Sequence, residues 1–392
     1  MKFLKTLHAV KSDVTINWQE QEQTCSALWH SEHGSAPPKR VMLADDTLTA
    51  DMAFRLASEG TGLLWRGDFQ NAKQLLQAIA RRIDKPSKKS AKKLQPASMK
   101  DVFNQHRQAQ SQRARTLGML LLNFNPDHTL SLRRAPDVAQ ACSEAYGAVS
   151  APYVISLREL LGVVGAHEWR KKGVKIEALG GRSIHPHYGV FAPLRAEYLQ
   201  LVAQAALPSS WQADSVAFDI GTGSGVLAAI LIQRGVSRVI ATDQSDRAIA
   251  CAEENIQRLG YADHVEIMQT DLYPQGQADL IVCNPPWVPA RPSSPLEHAV
   301  FDPDSSMLRG FLQGLAAHLK PTGEGWLILS DLAEHLDLRS RDQLTDMFAE
   351  YGLRVIEKYD AKPMHAKITD LEDALHTARA AEVVSLWRLT RA

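Results

Sequence analysis

The chain has 392 residues, more than one typical domain holds, so two or three domains are expected. Its 44 basic and 44 acidic residues cancel and its hydrophobic fraction is an ordinary 45%, so net charge names no partner and only the distribution of charge can. Four widely spaced cysteines (Cys25, Cys142, Cys251, Cys283) with no Cys-x-x-Cys pair argue against a disulfide framework and a zinc site and fit a reducing, cytoplasmic setting; no stretch is apolar and long enough to span a membrane, and the apolar run after Met1 is too short for a signal peptide.

Residues 1–180 are expected to form a separate α+β domain that recognises the substrate. Residues 45–58 and 68–82 read as helices, each opening on an acidic residue suited to a helix N-terminus, with a strand over 62–65 between them. Leu63-Leu64-Trp65-Arg66-Gly67-Asp68 has the form of a strand, a turn and a helix start, as in a decayed copy of a sheet fold. Residues 117–124 and 129–133 read as a hairpin around Asn125-Pro126-Asp127, and 136–146 and 156–163 as helices. Residues 81–115 carry eleven Lys and Arg against only Asp84 and Asp101, a net charge of +9, so the remainder of the chain carries −9. The core of this tract, residues 85–93, lacks large apolar residues, and about 84–100 reads as a flexible basic linker.

Residues 181–392 read as a second domain of alternating strands and helices. Strands are expected over 216–219, 238–242, 265–269, 279–283, 326–330, 353–359 and 383–389, with helices over 226–233, 246–259, 305–319 and 340–350. Such alternation implies right-handed crossovers and an α/β, Rossmann-like, seven-stranded, mostly parallel sheet. The last strand follows a long polar excursion, which fits an antiparallel insertion.

Two segments of this domain carry chemistry. After the first strand the chain reads Asp219-Ile220-Gly221-Thr222-Gly223-Ser224-Gly225. The glycines allow a ligand close to the backbone, and the next helix offers its N-terminus to a carboxylate. The third glycine comes one residue early for a dinucleotide fingerprint, and no Gly-Lys-Ser/Thr is present, which argues against P-loop hydrolysis. Asp243 and Asp271 each stand just past a strand end, where a doubly wound sheet forms its crevice; the first can accept from both ribose hydroxyls, the second from an adenine amine. After the fourth strand comes Asn284-Pro285-Pro286-Trp287. The Asn284 oxygen and the Pro285 carbonyl can each accept one N–H of a planar amine, the prolines hold that carbonyl in extended backbone, and Trp287 can stack on the plane.

From about residue 185 onward this arrangement resembles class I S-adenosylmethionine-dependent methyltransferases, small-domain branch, with an Asn-Pro-Pro-aromatic motif of the amino-methyltransferase type. The resemblance implies S-adenosylmethionine as cofactor, held by Asp219, Gly221, Gly223, Gly225, Asp243, Asp271 and Leu272. It implies catalysis by Asn284, Pro285, Pro286 and Trp287, with Trp in place of the usual Tyr or Phe. The lead-in Tyr188-Gly189-Val190-Phe191-Ala192-Pro193-Leu194-Arg195 is similar to the segment before the first motif in that branch, where it would cover the methionine end of the cofactor or pack on the domain edge.

The expected reaction is methyl transfer to a planar exocyclic or amide nitrogen. A base amine of ribosomal or transfer RNA is the first acceptor, on the strength of the +9 tract. A protein glutamine of the release-factor type is the alternative, and a non-catalytic binding protein on a methyltransferase fold is a third. His185 and His187 are read as satisfied loop histidines, Cys283 as a buried small residue, and Glu297, Asp302, Asp304 and Asp373 as solvated loop carboxylates.

Overall fold

The computed structural model describes residues 14–85, 98–292, 296–364, 368 and 370–392. The chain divides into two compact units, one of Met1–Leu94 with Gln108–Gly165, the other of Gln95–Arg107 with Ala166–Ala392. Among the described residues no helix is long and apolar enough to cross a membrane.

In the first unit, β1 (Thr15–Glu20), β2 (Gln23–Trp29), β3 (Arg40–Ala44), β4 (Thr61–Trp65), β5 (Leu120–Phe124) and β6 (Tyr153–Ser156) form one sheet in the order β1-β2-β6-β5-β4-β3. β3, β4 and β5 are parallel and β6 runs against β5. The helices α1 (Ala50–Ser58), α2 (Phe69–Asp84), α3 (Met99–Leu117), α4 (Ala139–Tyr146) and α5 (Leu157–Lys172) are interspersed, α3 and α5 each running across a unit boundary. The strand-turn-helix at Leu63–Asp68 is present: β4 is buried throughout, and Asp68 caps α2 by accepting from the Gln70 N–H at 2.8 Å. The hairpin expected over 117–133 is not. β5 pairs with β4 and β6 instead, and residues 129–133 contribute only a single bridge, Phe124 to Leu130, because both edges of β5 are taken by neighbours distant in sequence. α1 starts at Ala50, five residues later than expected, because Asp45 Oδ1 accepts from the Thr47 N–H and Oγ1 and closes a turn there; Thr49 provides the cap. Of the basic tract, residues 86–97 lie outside the described residues. α3 begins where Ser98 and Asp101 cap each other, the Asp101 N–H donating to Ser98 Oγ at 3.2 Å.

The second unit is built on the strand order β11-β10-β9-β12-β13-β15-β14. These are β9 (Val216–Ile220), β10 (Arg238–Asp243), β11 (Val265–Gln269), β12 (Ala278–Cys283), β13 (Leu319–Ser330), β14 (Leu353–Ala361) and β15 (Val384–Arg391). All pairings are parallel except those of β15, which runs against both β13 and β14. A small hairpin of β7 (Val174–Ile176) and β8 (Arg182–Ile184) precedes it. The helices are α6 (Ala196–Gln204), α7 (Val226–Gln233), α8 (Asp246–Arg258), α9 (Ser306–His318), α10 (Leu332–His335), α11 (Arg341–Glu350) and α12 (His376–Ala381).

Both sheet faces are buried, so the central strands are continuously apolar and sort their side chains by alternation. Ala217, Leu280, Val282, Trp326 and Ile328 pack on one side with α6 and α7. Phe218, Ile281, Cys283, Leu327 and Leu329 pack on the other with α9 and α11. β9 lies between β10 and β12, where the chain changes direction of winding, so its carboxyl end opens a crevice at the switch point. All the expected site residues stand at or near that edge.

Candidate active site

The floor of the crevice is the turn from β9 into α7. Asp219 is fully buried, and its Oδ2 accepts from Thr222 Oγ1 at 2.6 Å and from the Ala228 N–H at 3.0 Å, tying the strand end to the helix. Its Oδ1 is buried with no partner. Burial lifts this carboxyl to about 6. Gly221, Gly223 and Gly225 all lie in the left-handed region, with φ of 71°, 56° and 79°. At Gly225 a β-carbon would also sit 3.3 Å from the Ala252 Cα of α8, so the glycine permits close packing of α7 on α8 as well as the turn.

One wall is the end of β10. Asp243 Oδ2 accepts from the Gly223 N–H and Oδ1 from the Ser245 N–H, both at 3.0 Å, so the carboxylate is fixed against the glycine turn. Burial raises its pKa. Each oxygen keeps one lone pair for a ligand hydroxyl. The opposite wall is less expected. Leu272 takes a left-handed backbone, φ 61°, which a branched side chain seldom adopts. Its carbonyl accepts from Thr242 Oγ1 at 2.5 Å, and Gly310 on α9 leaves room for its side chain, since a β-carbon there would sit 2.6 Å from Leu272 Cδ1. Asp271 beside it is exposed.

These parts enclose a cavity of about 870 Å³. Of the expected residues, Gly221, Gly223, Asp243, Asp271, Leu272, Asn284 and Pro286 line it. Asp219, Gly225, Pro285 and Trp287 do not: Asp219 and Gly225 stand behind the turn, Pro285 is buried, and Trp287 is half-buried with its indole N–H on Asn284. The lead-in segment contributes Gly189, Val190 and Phe191. Tyr198, Arg247 and Met307 also line the cavity and carried no signal in the sequence. Tyr198 is an ordinary core position of α6, and Met307 reaches the site only because α9 crosses over the switch point.

The Asn284 clamp differs from a free hydrogen-bonding group. The Trp287 indole Nε1–H donates to Asn284 Oδ1 at 2.8 Å. The Arg195 guanidinium lies over the indole ring, 4.6 Å from its centroid, and Tyr198 meets the ring edge-on at 6.4 Å. Arg195 is held by Glu197 at 2.5 Å and by Glu382 at 3.0 Å, and Glu382 also accepts from Ser330 Oγ at 2.6 Å.

Asp302 corrects one expectation. It is buried rather than solvated, and accepts from Ser306 Oγ and from the Met307 and Leu308 N–H groups at 2.8–3.0 Å, capping α9 and fixing the Met307 wall. Asp373 is likewise close to fully enclosed, paired with Arg379 at 2.8 Å. His187 pairs with Glu254 at 2.6 Å and His185 Nδ1 meets the Arg170 carbonyl at 2.6 Å, so both are structural. Among the described residues no group of His, Cys, Asp and Glu could hold a metal ion. Burial holds the Cys283 thiol far above its usual range, which removes it as a nucleophile.

Residues 182–358 match the family model of the methyltransferase small domain. This segment is a methyltransferase small domain of the class I, S-adenosylmethionine-dependent type. A release factor glutamine methyltransferase of Cereibacter sphaeroides is 35% identical over 120 residues, which cover 27% of this chain and 43% of that one. A tRNA1(Val) (adenine(37)-N6)-methyltransferase of Bacteroides thetaiotaomicron is 30% identical over 159 residues, 38% of this chain and 66% of that one. A tRNA1(Val) (adenine(37)-N6)-methyltransferase of Shewanella loihica is 27% identical over 188 residues, 44% of this chain and 74% of that one. The chain thus spans less than two thirds of the first two relatives it matches. The small domain's cofactor is S-adenosylmethionine, and the residues present fit it: a glycine turn open to a backbone-hugging ligand, an anchored acid for ribose, and a buried carboxylate oxygen without a partner that suits an ammonium group.

Proposed function

We propose that the protein is an N-methyltransferase that moves the methyl group of S-adenosylmethionine onto a planar exocyclic or amide nitrogen. The observation that carries this reading is the placement of Asn284 and Pro286 on the same cavity as Gly221, Gly223 and Asp243. Asp243 would hold the ribose hydroxyls, Asp271 with Leu272 the adenine, and Asp219 at the foot of the glycine turn the ammonium end. S-adenosylmethionine supplies an electrophilic methyl group on a sulfonium.

The acceptor nitrogen is a poor nucleophile because its lone pair is delocalised into a neighbouring π system. Asn284 Oδ1 and the Pro285 carbonyl would accept its two N–H groups and hold the lone pair toward the methyl. Positioning of this kind supplies up to about 7–11 kcal/mol of a barrier. No side chain has to remove the proton first, because the nitrogen becomes acidic once alkylated.

The first acceptor we propose is an RNA base amine, and the second is a protein glutamine; both present the same planar NH₂, and relatives named for each share the domain. The basic tract supports RNA, though not every cation in it is free. Arg113 makes a two-pronged pair with Asp84 at 2.9 and 3.0 Å, and Arg107 donates to the Arg291 carbonyl at 2.7 Å. The test is incubation with labelled S-adenosylmethionine of total RNA and total protein from cells lacking the gene. Label in digested RNA as an N-methylated base supports the first acceptor, and label in protein glutamine the second. No label in either, with cofactor binding intact, overturns the enzymatic reading.

A further inference from the structure

We infer that Trp287 is a positioning residue that fixes the Asn284 amide as a hydrogen-bond acceptor, and is not the surface on which the methyl acceptor stacks. The inference rests on the amino-methylation reading above and deepens it.

Three observations converge on the indole. Its Nε1–H donates to Asn284 Oδ1 at 2.8 Å. Its ring is engaged by Arg195 and Tyr198 and packs against the apolar clusters on both sides of the sheet and beneath the loop after β12. It is absent from the cavity lining to which Asn284 and Pro286 belong. The chemistry then follows from the donor inventory. An indole N–H can only donate, while a primary amide donates from one end and accepts at the other. An Asn284 turned the other way would set two N–H groups face to face, so the indole selects the orientation that puts Oδ1 on its N–H. A carbonyl oxygen has two lone pairs, so one remains for an acceptor N–H.

The site is thereby set for a nitrogen that carries hydrogen, an exocyclic amine or a primary amide. A bare ring nitrogen, which would require the Asn284 NH₂ end, is disfavoured. Phe at this position could not impose the choice. Arg195 backs the ring and is itself clasped by Glu197 and Glu382, two carboxylates that are almost completely buried. The indole is therefore held from behind by charges that do not move with solvent.

The test has a structural and a kinetic arm, both on the full chain. In the structural arm, indole ¹⁵N-labelled tryptophan is followed by NMR, with the Trp287 signal assigned by its loss in Trp287→Phe. Asn284→Ala should move that signal and speed its exchange with solvent; an unmoved signal overturns the hydrogen bond. In the kinetic arm, Trp287→Phe keeps an aromatic ring and loses the donor. A second variant carries 3-benzothienylalanine at 287, which keeps the bicyclic shape with sulfur in place of N–H, and it serves both arms should Phe fail to fold.

With labelled S-adenosylmethionine and whichever of total RNA or total protein accepts label, kcat should fall about tenfold, the effect of one lost hydrogen bond. Cofactor Kd and the half-saturating acceptor concentration should stay unchanged. An unchanged kcat, or a loss confined to acceptor binding, overturns the inference and restores stacking. If the wild-type protein methylates neither fraction, the amino-methylation reading fails while the NMR arm still decides the contact.

Discussion

Replacing Asp219 by Asn isolates a single buried charge, and its effect can be worked out from the structure. One carboxylate oxygen is satisfied by Thr222 and Ala228 and the other by nothing, and burial holds the group at about 6 against 3.8 for the free side chain. Because the folded pKa lies above the unfolded one, the folded chain binds the proton more tightly. The group's contribution to stability is therefore fully present below about pH 3.8 and is lost as pH rises through about 6. A gap of about two pH units corresponds to about 3 kcal/mol, carried as a penalty by the unliganded fold at pH 7. Asparagine keeps an oxygen for Thr222 and Ala228 and removes the charge, but places an unpaired amide N–H where Oδ1 stood, at a cost of about 1–3 kcal/mol. At pH 7 the variant should accordingly be between unchanged and about 2 kcal/mol more stable. The informative quantity is the difference in urea-unfolding free energy, variant minus wild type, measured from pH 4 to 7. It should rise by about 2 kcal/mol across that range, since the unfolded group is already partly ionised at pH 4. Calorimetry with S-adenosylmethionine should show wild-type affinity falling below about pH 6 as Asp219 takes up its proton, with a weaker and flatter profile for the variant. A pH-independent stability difference would refute the assignment of a buried, unpaired carboxylate, and a pH-independent cofactor affinity would refute its pairing with the ammonium group.

Asp243→Ala removes the anchored acid of the ribose wall and should weaken cofactor binding at least a hundredfold, about 3 kcal/mol from lost charge-assisted hydrogen bonds; calorimetry giving an unchanged Kd would sink the assignment. Asn284→Ala should lower kcat by about 10²–10³, the scale for removing one preorganised polar group, with cofactor affinity intact; a normal rate in the labelled-methyl assay would discard the clamp. Away from the site, Arg388 makes a two-pronged pair with Glu324 at 2.8 Å, with both side chains close to fully buried. Glu324→Ala strands that guanidinium between β13 and β15 and should cost about 3–5 kcal/mol in chemical denaturation; a loss below 1 kcal/mol would mean that Glu357, 2.6 Å from Arg388, compensates.

The helix Val226–Gln233 and the strand Val265–Gln269 have the bounds that their residue patterns imply, because an apolar run between a glycine turn and a stop is a local property. The central strands of the second unit were legible for the same reason: buried on both faces, they read as continuous apolar runs. Strands β1, β2 and β3 left no such trace. β1 turns polar side chains outward, β3 is only five residues long, and β2 joins the rest of the sheet through its pairing with β6, more than 100 residues away. The part of α3 beyond residue 100 carried no assignment because its first turns offer little apolar surface besides Val102 and Phe103, which pack with Met99 in the second unit beside Phe301 and Val288.

By itself, then, the sequence determined the sheet, the glycine turn, the acid after β10 and the Asn-Pro-Pro-Trp segment, all of which depend on short-range patterns of apolarity and backbone freedom. Only the tertiary structure decided what those side chains do. It buried Asp302 under α9, left one oxygen of Asp219 unpartnered, and turned Trp287 onto Asn284 with Arg195 behind it. Each of these outcomes depends on which distant residue fills the space beside a group, and that is a property of packing that no local pattern encodes.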